Sequence, residues 1–542
     1  MSNQVIEGTS ADLVVIGAGI NGLGIARDAS ERGLSVVLVE QYDICSGVSA
    51  WSGRLVHGGL RYLEHLDIGL VRESLRERER LFKLAPHLVK PANLIMPFYK
   101  RNKRPAWLIT LGMIAYDVLS FDKSVPWHRI RSRQSILKSF PGMNRDGLGG
   151  AAVFIDGQVE YAERLCVELA VAANEAGCEI RNHEKSTRIM IDEGKVTGVE
   201  TITDAGEKKV ISAKSVINAG GPWVDLVNDV TETNFSKEPP RLIGGSKGSH
   251  IIVDEFPGAP KDVIYYESQS DGRLVLVIPW MGRYLIGTTD ILFDEDPDSA
   301  RAENDEISYL LKEVNTLIPE ANLTEDKILF TYSGVRPLPY KPGVSEWKIP
   351  RSHIVHDHED EGAKGLYSIV SGKLTTYRQL AEDAVDLAMK KTFGIRSKTL
   401  TKDVPFPGAR NLDREQITAE LESISQISRA TAERLVDIYG SRSLAIGEMV
   451  RVNPELAERF DPECDAIAAE LIYATDSEFA KTLADVMARR TLQAFHPGHG
   501  LQGAERASQI LASHLGWTEE QRIENLRDYE KWLDHLRVPQ PK

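Results

Sequence analysis

Gly17, Gly19, Gly22 and Glu40 stand at the spacing of a dinucleotide site. A glycine-rich turn brings main-chain N–H groups close to a pyrophosphate, and an acidic residue roughly twenty positions on accepts hydrogen bonds from the adenosine ribose. Gly17 permits the tight turn, Gly19 opens the backbone to the phosphates, and Gly22 lets a helix lie close on a sheet. The start of that helix adds free N–H groups and the positive end of its dipole. Glu40, eighteen residues past Gly22, would repel a 2′-phosphate. The residues therefore predict NAD or FAD and argue against NADP.

The elements that must position these residues are legible around them. An apolar strand runs to Ile16, a helix is expected from about Asn21 to Arg32 with a stop at Gly33, and a second apolar strand ends at Glu40. A GxGxxG string alone arises in ordinary turns, and here the flanking strand-helix-strand supplies the specificity. The stretch Ser46 to Glu64 follows directly, rich in small residues, hydroxyls and paired glycines. It suits a backbone wrapped around a cofactor's phosphates and ring, with Ser49, Ser52, His57, Gly58 and Gly59 as candidate contacts. Two more short apolar strands, ending near Asn218 and Val370, run into small residues. They add Ala219, Gly220, Gly372, Leu374 and Thr375 to Gly17, Gly19, Ile20, Asn21, Gly22 and Glu40 as expected cofactor-binding residues. A cofactor touched from so many separated stretches is expected to be a resident FAD.

Length and composition set the frame. A chain of 542 residues exceeds one core and predicts two to four domains. A net charge of -14 gives the whole molecule no attraction to nucleic acid, although a local patch of opposite sign remains allowed. Cys45, Cys166, Cys178 and Cys464 lack metal-ligand spacing, so no metal is expected and the thiols read as reduced. No secretory leader is recognisable and no run of about eighteen apolar residues occurs, which predicts a cytoplasmic protein without a spanning helix.

The fold expected is α/β: a Rossmann-like FAD-binding domain built from discontinuous segments, an antiparallel-sheet substrate domain and a C-terminal all-helical domain. Segments 1–90, 150–235 and 335–405 are assigned to the first, and 91–149 and 236–334 to the second, which includes a hairpin over Arg273 to Asp290 with a turn at Met281-Gly282. The third takes 410–542, opened by a capping box of Asp413 with Gln416.

Five ordered motifs go further. The run Gly17 to Glu40, His57-Gly58-Gly59-Leu60-Arg61-Tyr62-Leu63-Glu64, Lys247-Gly248-Ser249-His250, Ser333-Gly334-Val335-Arg336-Pro337-Leu338 and Gly372-Lys373-Leu374-Thr375-Thr376-Tyr377-Arg378 closely resemble the FAD-dependent glycerol-3-phosphate dehydrogenase family of the aerobic, quinone-linked type. The resemblance extends to the tail, with Asp485-Val486-Met487-Ala488-Arg489-Arg490-Thr491. Ser52-Gly53-Arg54-Leu55 departs from the family's more usual Ser-Ser-Lys-Leu and leaves open the contact Arg54 makes with the flavin or its phosphates.

The resemblance implies oxidation of sn-glycerol 3-phosphate to dihydroxyacetone phosphate, with hydride passing from C2 to FAD and electrons to a membrane quinone. Such chemistry needs a base for the hydroxyl proton and cations that hold the phosphate. His250 is the candidate base, because imidazole titrates near neutrality. Arg336 is the candidate phosphate clamp, since its planar guanidinium binds two oxygens at once. Arg61 and Lys373 are the other substrate-binding cations implied, with Tyr62 beside them; Lys373 is counted with His250 and Arg336 as catalytic. An oxidase passing electrons to O2 and releasing H2O2 is the nearest alternative, followed by an amine or amino-acid oxidase and by a flavin-bearing protein without turnover.

The resemblance also implies a peripheral place on the cytoplasmic membrane. Lys100-Arg101-Asn102-Lys103-Arg104 precedes the apolar run Ala106 to Leu119, which carries Trp107 and Tyr116. Basic residues beside such a run suit a helix lying in the headgroup layer of an anionic membrane, with Arg129, Arg131 and Arg133 extending the basic face. A homodimer through the tail is allowed, though no residue requires it.

Overall fold

The valine-rich runs Ser10–Ile16 and Val36–Glu40 pair as parallel strands, with Val14 opposite Val37, because both faces of the sheet they enter are covered and near-continuous apolar runs suit such strands. These and all later features are those of a computed structural model, which describes residues 8–65, 67–229, 235–344 and 349–540. The side chains of Arg61 and His65 are not among the parts described, so the expected cation Arg61 lies outside them.

Lys208–Asn218 pairs in parallel with Ser10–Ile16 on its other side, Leu366–Val370 follows in parallel, and Ile354–Asp357 closes that edge antiparallel. Glu179–Asn182 adds a parallel strand beyond Val36–Glu40. Helices Ile20–Glu31, Ala162–Glu175 and Tyr377–Ala388 pack together over this sheet. Their buried Leu23, Ala26, Leu165, Leu380 and Ala384 join Leu13, Val15 and Leu38 in one apolar core. Each large aliphatic side chain so buried contributes on the order of 1.5–3 kcal/mol.

A second, ten-stranded sheet is mostly antiparallel. Ile243–Val253 pairs with Arg283–Gly287 on one side and Ile328–Pro339 on the other. The expected hairpin is Leu274–Trp280 with Arg283–Gly287, turned at Met281 and Gly282, both with positive φ. The sheet extends further than the segment boundaries set out above. Leu148–Val159, grouped there with the nucleotide-binding part, is bonded along its length to Val89–Tyr99, and Leu55–Val56 pairs with its far end. Its Leu148, Ala151, Ala152 and Phe154 enter the apolar clusters of the second sheet, a long-range pairing without local signature.

From Arg414 to Leu536 every named element is a helix. This domain docks through buried charge. Asp43, directly after the second strand, accepts from Arg489 Nε at 2.6 Å and from Arg490 Nη1 and Nη2 at 2.7 and 2.9 Å. Arg164 pairs with Glu478 through two bonds of 2.6 Å. Trp532 and His535 stack on Trp51. The loop at 43–51 is thus held from the tail.

Candidate active site

A cavity of about 630 Å³ opens where the carboxyl ends of the parallel strands meet the second sheet. Ligands of open α/β sheets bind at this end of the strands. Ile16, Glu40, Ala219 and Ser371, at or just beyond four strand ends, all lie on its wall.

The nucleotide half is built around the glycine turn. Gly17 has φ +105°, and a β-carbon there would sit 2.8 Å from the Ala219 carbonyl oxygen. Gly19 stands at the cap of the helix and has no side chain of its own to accept from the first N–H groups. The Ile20 N–H donates to Ser49 Oγ at 3.0 Å, tying the wrapping loop to the helix start. Glu40 accepts from the Ala18 and Tyr42 N–H groups at 2.8 and 3.0 Å, and its carboxyl still lines the cavity. Burial pushes that carboxyl up in pKa, against those two backbone donors.

Gly17, Gly19, Ile20, Asn21, Glu40, Ser49, Ser52, His57, Ala219, Gly220, Gly372, Leu374 and Thr375 all line this one cavity. Gly22, Gly58 and Gly59 are not on its wall. Gly22 serves packing, since a β-carbon there would fall 1.9 Å from the Gly17 oxygen. Gly58 makes room for Tyr116, whose hydroxyl would lie 2.3 Å from an added β-carbon, and its N–H bonds Asp156. Gly59 donates its N–H to His57 Nδ1 at 3.1 Å.

Arg54 turns away from the cavity. Its guanidinium is fully buried, bonded to both carboxylate oxygens of Glu163, with one distance of 2.7 Å, and it lies over the Trp280 and Phe495 rings. It joins the domains and leaves the flavin and phosphate region to other groups.

The far half collects charge. Arg336 lies on Ile328–Pro339, opposite Ser246 across the sheet. Its Nη1 donates to Asp290 Oδ1 at 3.1 Å and its Nη2 to Thr288 Oγ1 at 3.0 Å and the Thr289 carbonyl at 3.2 Å. Asp290 also accepts from Arg351 at 3.4 Å. Asp290, Thr288 and Arg351 line the cavity too and were absent from the sequence-derived candidates. They sit on irregular backbone without a motif, and the polarity of Thr288 to Asp290 after an apolar strand was their only signal.

Lys373 enters from the turn after Leu366–Val370, where Ser371 and Gly372 both take positive φ. A side chain on Gly372 would strike Asn21 at 2.5 Å. The Lys373 ammonium stands 4.0 Å from the Tyr62 ring centroid and 3.4 Å from Ser74 Oγ. Burial pulls it down to about 7, opposed by Glu73 and Asp67. We expect kcat/KM, which reports the free enzyme, to fall as pH rises through this value and the ammonium is lost. Lys373→Arg, charged throughout, should flatten that alkaline limb; an unchanged pH profile would remove Lys373 from substrate binding.

His250 lines the cavity, its ring 4.9 Å from that of Tyr332 and tilted 40° to it. Burial first, then the Arg336 and Arg54 guanidinium groups, push its imidazole down to about 3. It is therefore neutral at physiological pH, the form a base requires, although its basicity is low before substrate enters. Its buried Nδ1 has no hydrogen-bond partner.

The wall fits a flavin adenine dinucleotide. Asn21 Oδ1 and Trp223 Nε1, both on residues of the wall, are buried without partners. Glu40, the glycine turn and the Gly372 turn would hold its adenosine, phosphate and ring portions in sequence.

A parallel sheet with a glycine turn at its heart, a cavity at its strand ends and an antiparallel cap define a dinucleotide-dependent oxidoreductase. Residues 12–378 match the FAD dependent oxidoreductase family, and 399–522 match the C-terminal domain of alpha-glycerophosphate oxidase. A glycerol-3-phosphate dehydrogenase of Synechocystis sp. is 42% identical, covering 98% of both chains. An aerobic glycerol-3-phosphate dehydrogenase of Staphylococcus saprophyticus is 33% identical over 94% of this chain and 91% of that one. The crystal structure of the glycerol-3-phosphate dehydrogenase from Bacillus halodurans complexed with FAD superposes with a TM-score of 0.80 at 26% identity, covering 98% and 96% of the two chains. The chain belongs to the FAD dependent oxidoreductases and, within them, to the glycerol-3-phosphate dehydrogenases.

Proposed function

We propose that this enzyme oxidises sn-glycerol 3-phosphate at C2 and delivers the electrons to a membrane quinone. The observation that carries the substrate reading is the union, in one cavity, of the glycine turn with Arg336, Lys373 and a neutral His250. FAD, when bound, supplies the hydride acceptor. Arg336, braced by Asp290 and Thr288, presents a fixed fork to phosphate oxygens. Lys373 adds a second, buried cation that pairs with an anionic substrate. A phosphate on Arg336 offsets the guanidinium share of the depression of His250, the smaller share beside burial, and so favours the imidazole as the group that takes the C2 hydroxyl proton.

The acceptor reading rests on one helix. Ala106–Leu119 buries Ile109, Met113 and Tyr116, while Trp107, Leu111, Ile114 and Val118 form an exposed apolar stripe at helical spacing. Phe121, Trp127 and Ile130, in the chain just after the helix, are exposed as well. Exposed apolar surface of this kind marks a protein or membrane contact, and among the described residues no helix is long and apolar enough to cross a membrane. Lys100, Arg101, Arg129 and Arg133 flank it, whereas Lys103 bonds the Asp271 carbonyl and Arg104 pairs with Glu64 and Glu267. The helix lies in the headgroup layer of an anionic membrane, where a quinone is within reach.

In flotation with anionic liposomes we expect binding at low salt, lost in Trp107→Asp with Leu111→Asp. Failure of the wild-type enzyme to float overturns the membrane assignment. Turnover with a soluble quinone analogue should outpace turnover with O2; stoichiometric H2O2 would instead make the enzyme an oxidase.

A further inference from the structure

At the sheet edge away from the active-site machinery, His356, His358 and Glu361 converge. His356 lies one residue before the end of the edge strand, opposite Ser368, and His358 and Glu361 lie on the short 3-10 turn that follows. His356 Nε2 and His358 Nδ1 each lie 3.4 Å from Glu361 Oε2. All three atoms are buried, and none has a hydrogen-bond partner. His358 is 0% exposed and Glu361 8%. Three buried polar atoms that face one another without a hydrogen bond carry a desolvation cost, which the two His–Glu contacts offset only when an imidazole is protonated.

We propose that His356, His358 and Glu361 bind one zinc-class divalent cation, with water in the fourth position. The three ligand atoms lie within 4.8 Å of one another. The two separations of 3.4 Å equal the edge of a tetrahedron whose metal bonds are about 2.1 Å long, the value for zinc with imidazole and carboxylate. Two imidazoles and one carboxylate favour zinc over calcium or magnesium.

The surrounding residues match this use. His358 Nε2 shares a 2.9 Å hydrogen bond with Ser368 Oγ, which also accepts from Asn228 at 3.3 Å. Donation from Nε2–H leaves the Nδ1 lone pair facing the metal position, the usual arrangement of a ligating histidine. The His356 and His358 rings stand 4.5 Å apart at 80°, so that two nitrogens reach one point without stacking. Among the described residues, the other histidine and carboxylate group, Asp43, His183 and Asp485, is already neutralised by Arg489 and Arg490. The ion would tie the edge strand to its turn and to the chain returning at Ser236, whose N–H bonds the Glu361 carbonyl at 3.0 Å.

The test uses the full-length flavoenzyme, stripped with a chelator and dialysed against Co2+ or Zn2+ alone. We expect one ion per chain, visible bands of tetrahedral cobalt that zinc abolishes, and a higher unfolding midpoint with metal present. His356→Ala, at the least buried of the three positions, and Glu361→Gln should each weaken binding at least about tenfold and remove the metal-dependent rise in midpoint. No saturable ion, or equal binding by wild type and both variants, overturns the proposal.

Discussion

Arg336→Ala is expected to raise the KM for glycerol 3-phosphate about 10²-fold while FAD stays bound. Hydrogen bonds to charged groups are worth about 1.5–3 kcal/mol each, and a bidentate phosphate contact loses two. With about 1.4 kcal/mol per tenfold, the loss amounts to two decades or more. The substitution removes a group from the cap sheet, remote from the glycine turn that holds the nucleotide, so flavin content should be unaffected. It also frees Asp290, which keeps Arg351 as a partner at 3.4 Å and therefore does not collapse the wall. Steady-state kinetics with flavin quantified by absorbance check both halves. A near-normal KM would sink the clamp.

Asp43→Ala should be the most destabilising single change. Asp43 is fully buried and compensates two guanidinium groups from the helical domain, while Asn182 Nδ2 donates to it at 3.1 Å. Removing one partner of such a buried cluster costs about 3–5 kcal/mol, because the charges left behind are unpaired. Asp43 also begins the loop that carries Ser49 onto the start of the phosphate-binding helix. Flavin release should therefore move to lower denaturant together with the unfolding midpoint. Equal midpoints for variant and wild type would mean that the tail does not brace the cofactor loop.

The parts legible in the sequence were those encoded locally. Gly17 to Glu40 declares strand, turn, helix and strand within one short run, and the hairpin at Met281-Gly282 carries its own turn chemistry. What escaped depends on distant pairing. Leu148–Val159 reads as any apolar run until Val89–Tyr99 lies beside it. Arg54 lies within the cofactor loop in sequence, yet Glu163, more than a hundred residues on, draws it into the core. Asp290 and Arg351 brace or flank Arg336 from irregular segments without a repeating pattern. Gly58 and Gly59 look like Gly17 and Gly19 in a list of residues, but the Tyr116 hydroxyl decides what Gly58 is for. His356, His358 and Glu361 have a spacing open to inspection, but only the bend from strand to 3-10 turn brings their atoms together.

The cavity is expected to hold a flavin at the end where Arg336, Lys373 and His250 receive glycerol 3-phosphate. Anaerobic mixing of the purified enzyme with glycerol 3-phosphate, followed by flavin absorbance, tests it most directly. The visible flavin bands should bleach in full, without bleaching when glycerol replaces the phosphate ester. Flavin that stays oxidised under excess glycerol 3-phosphate would contradict it.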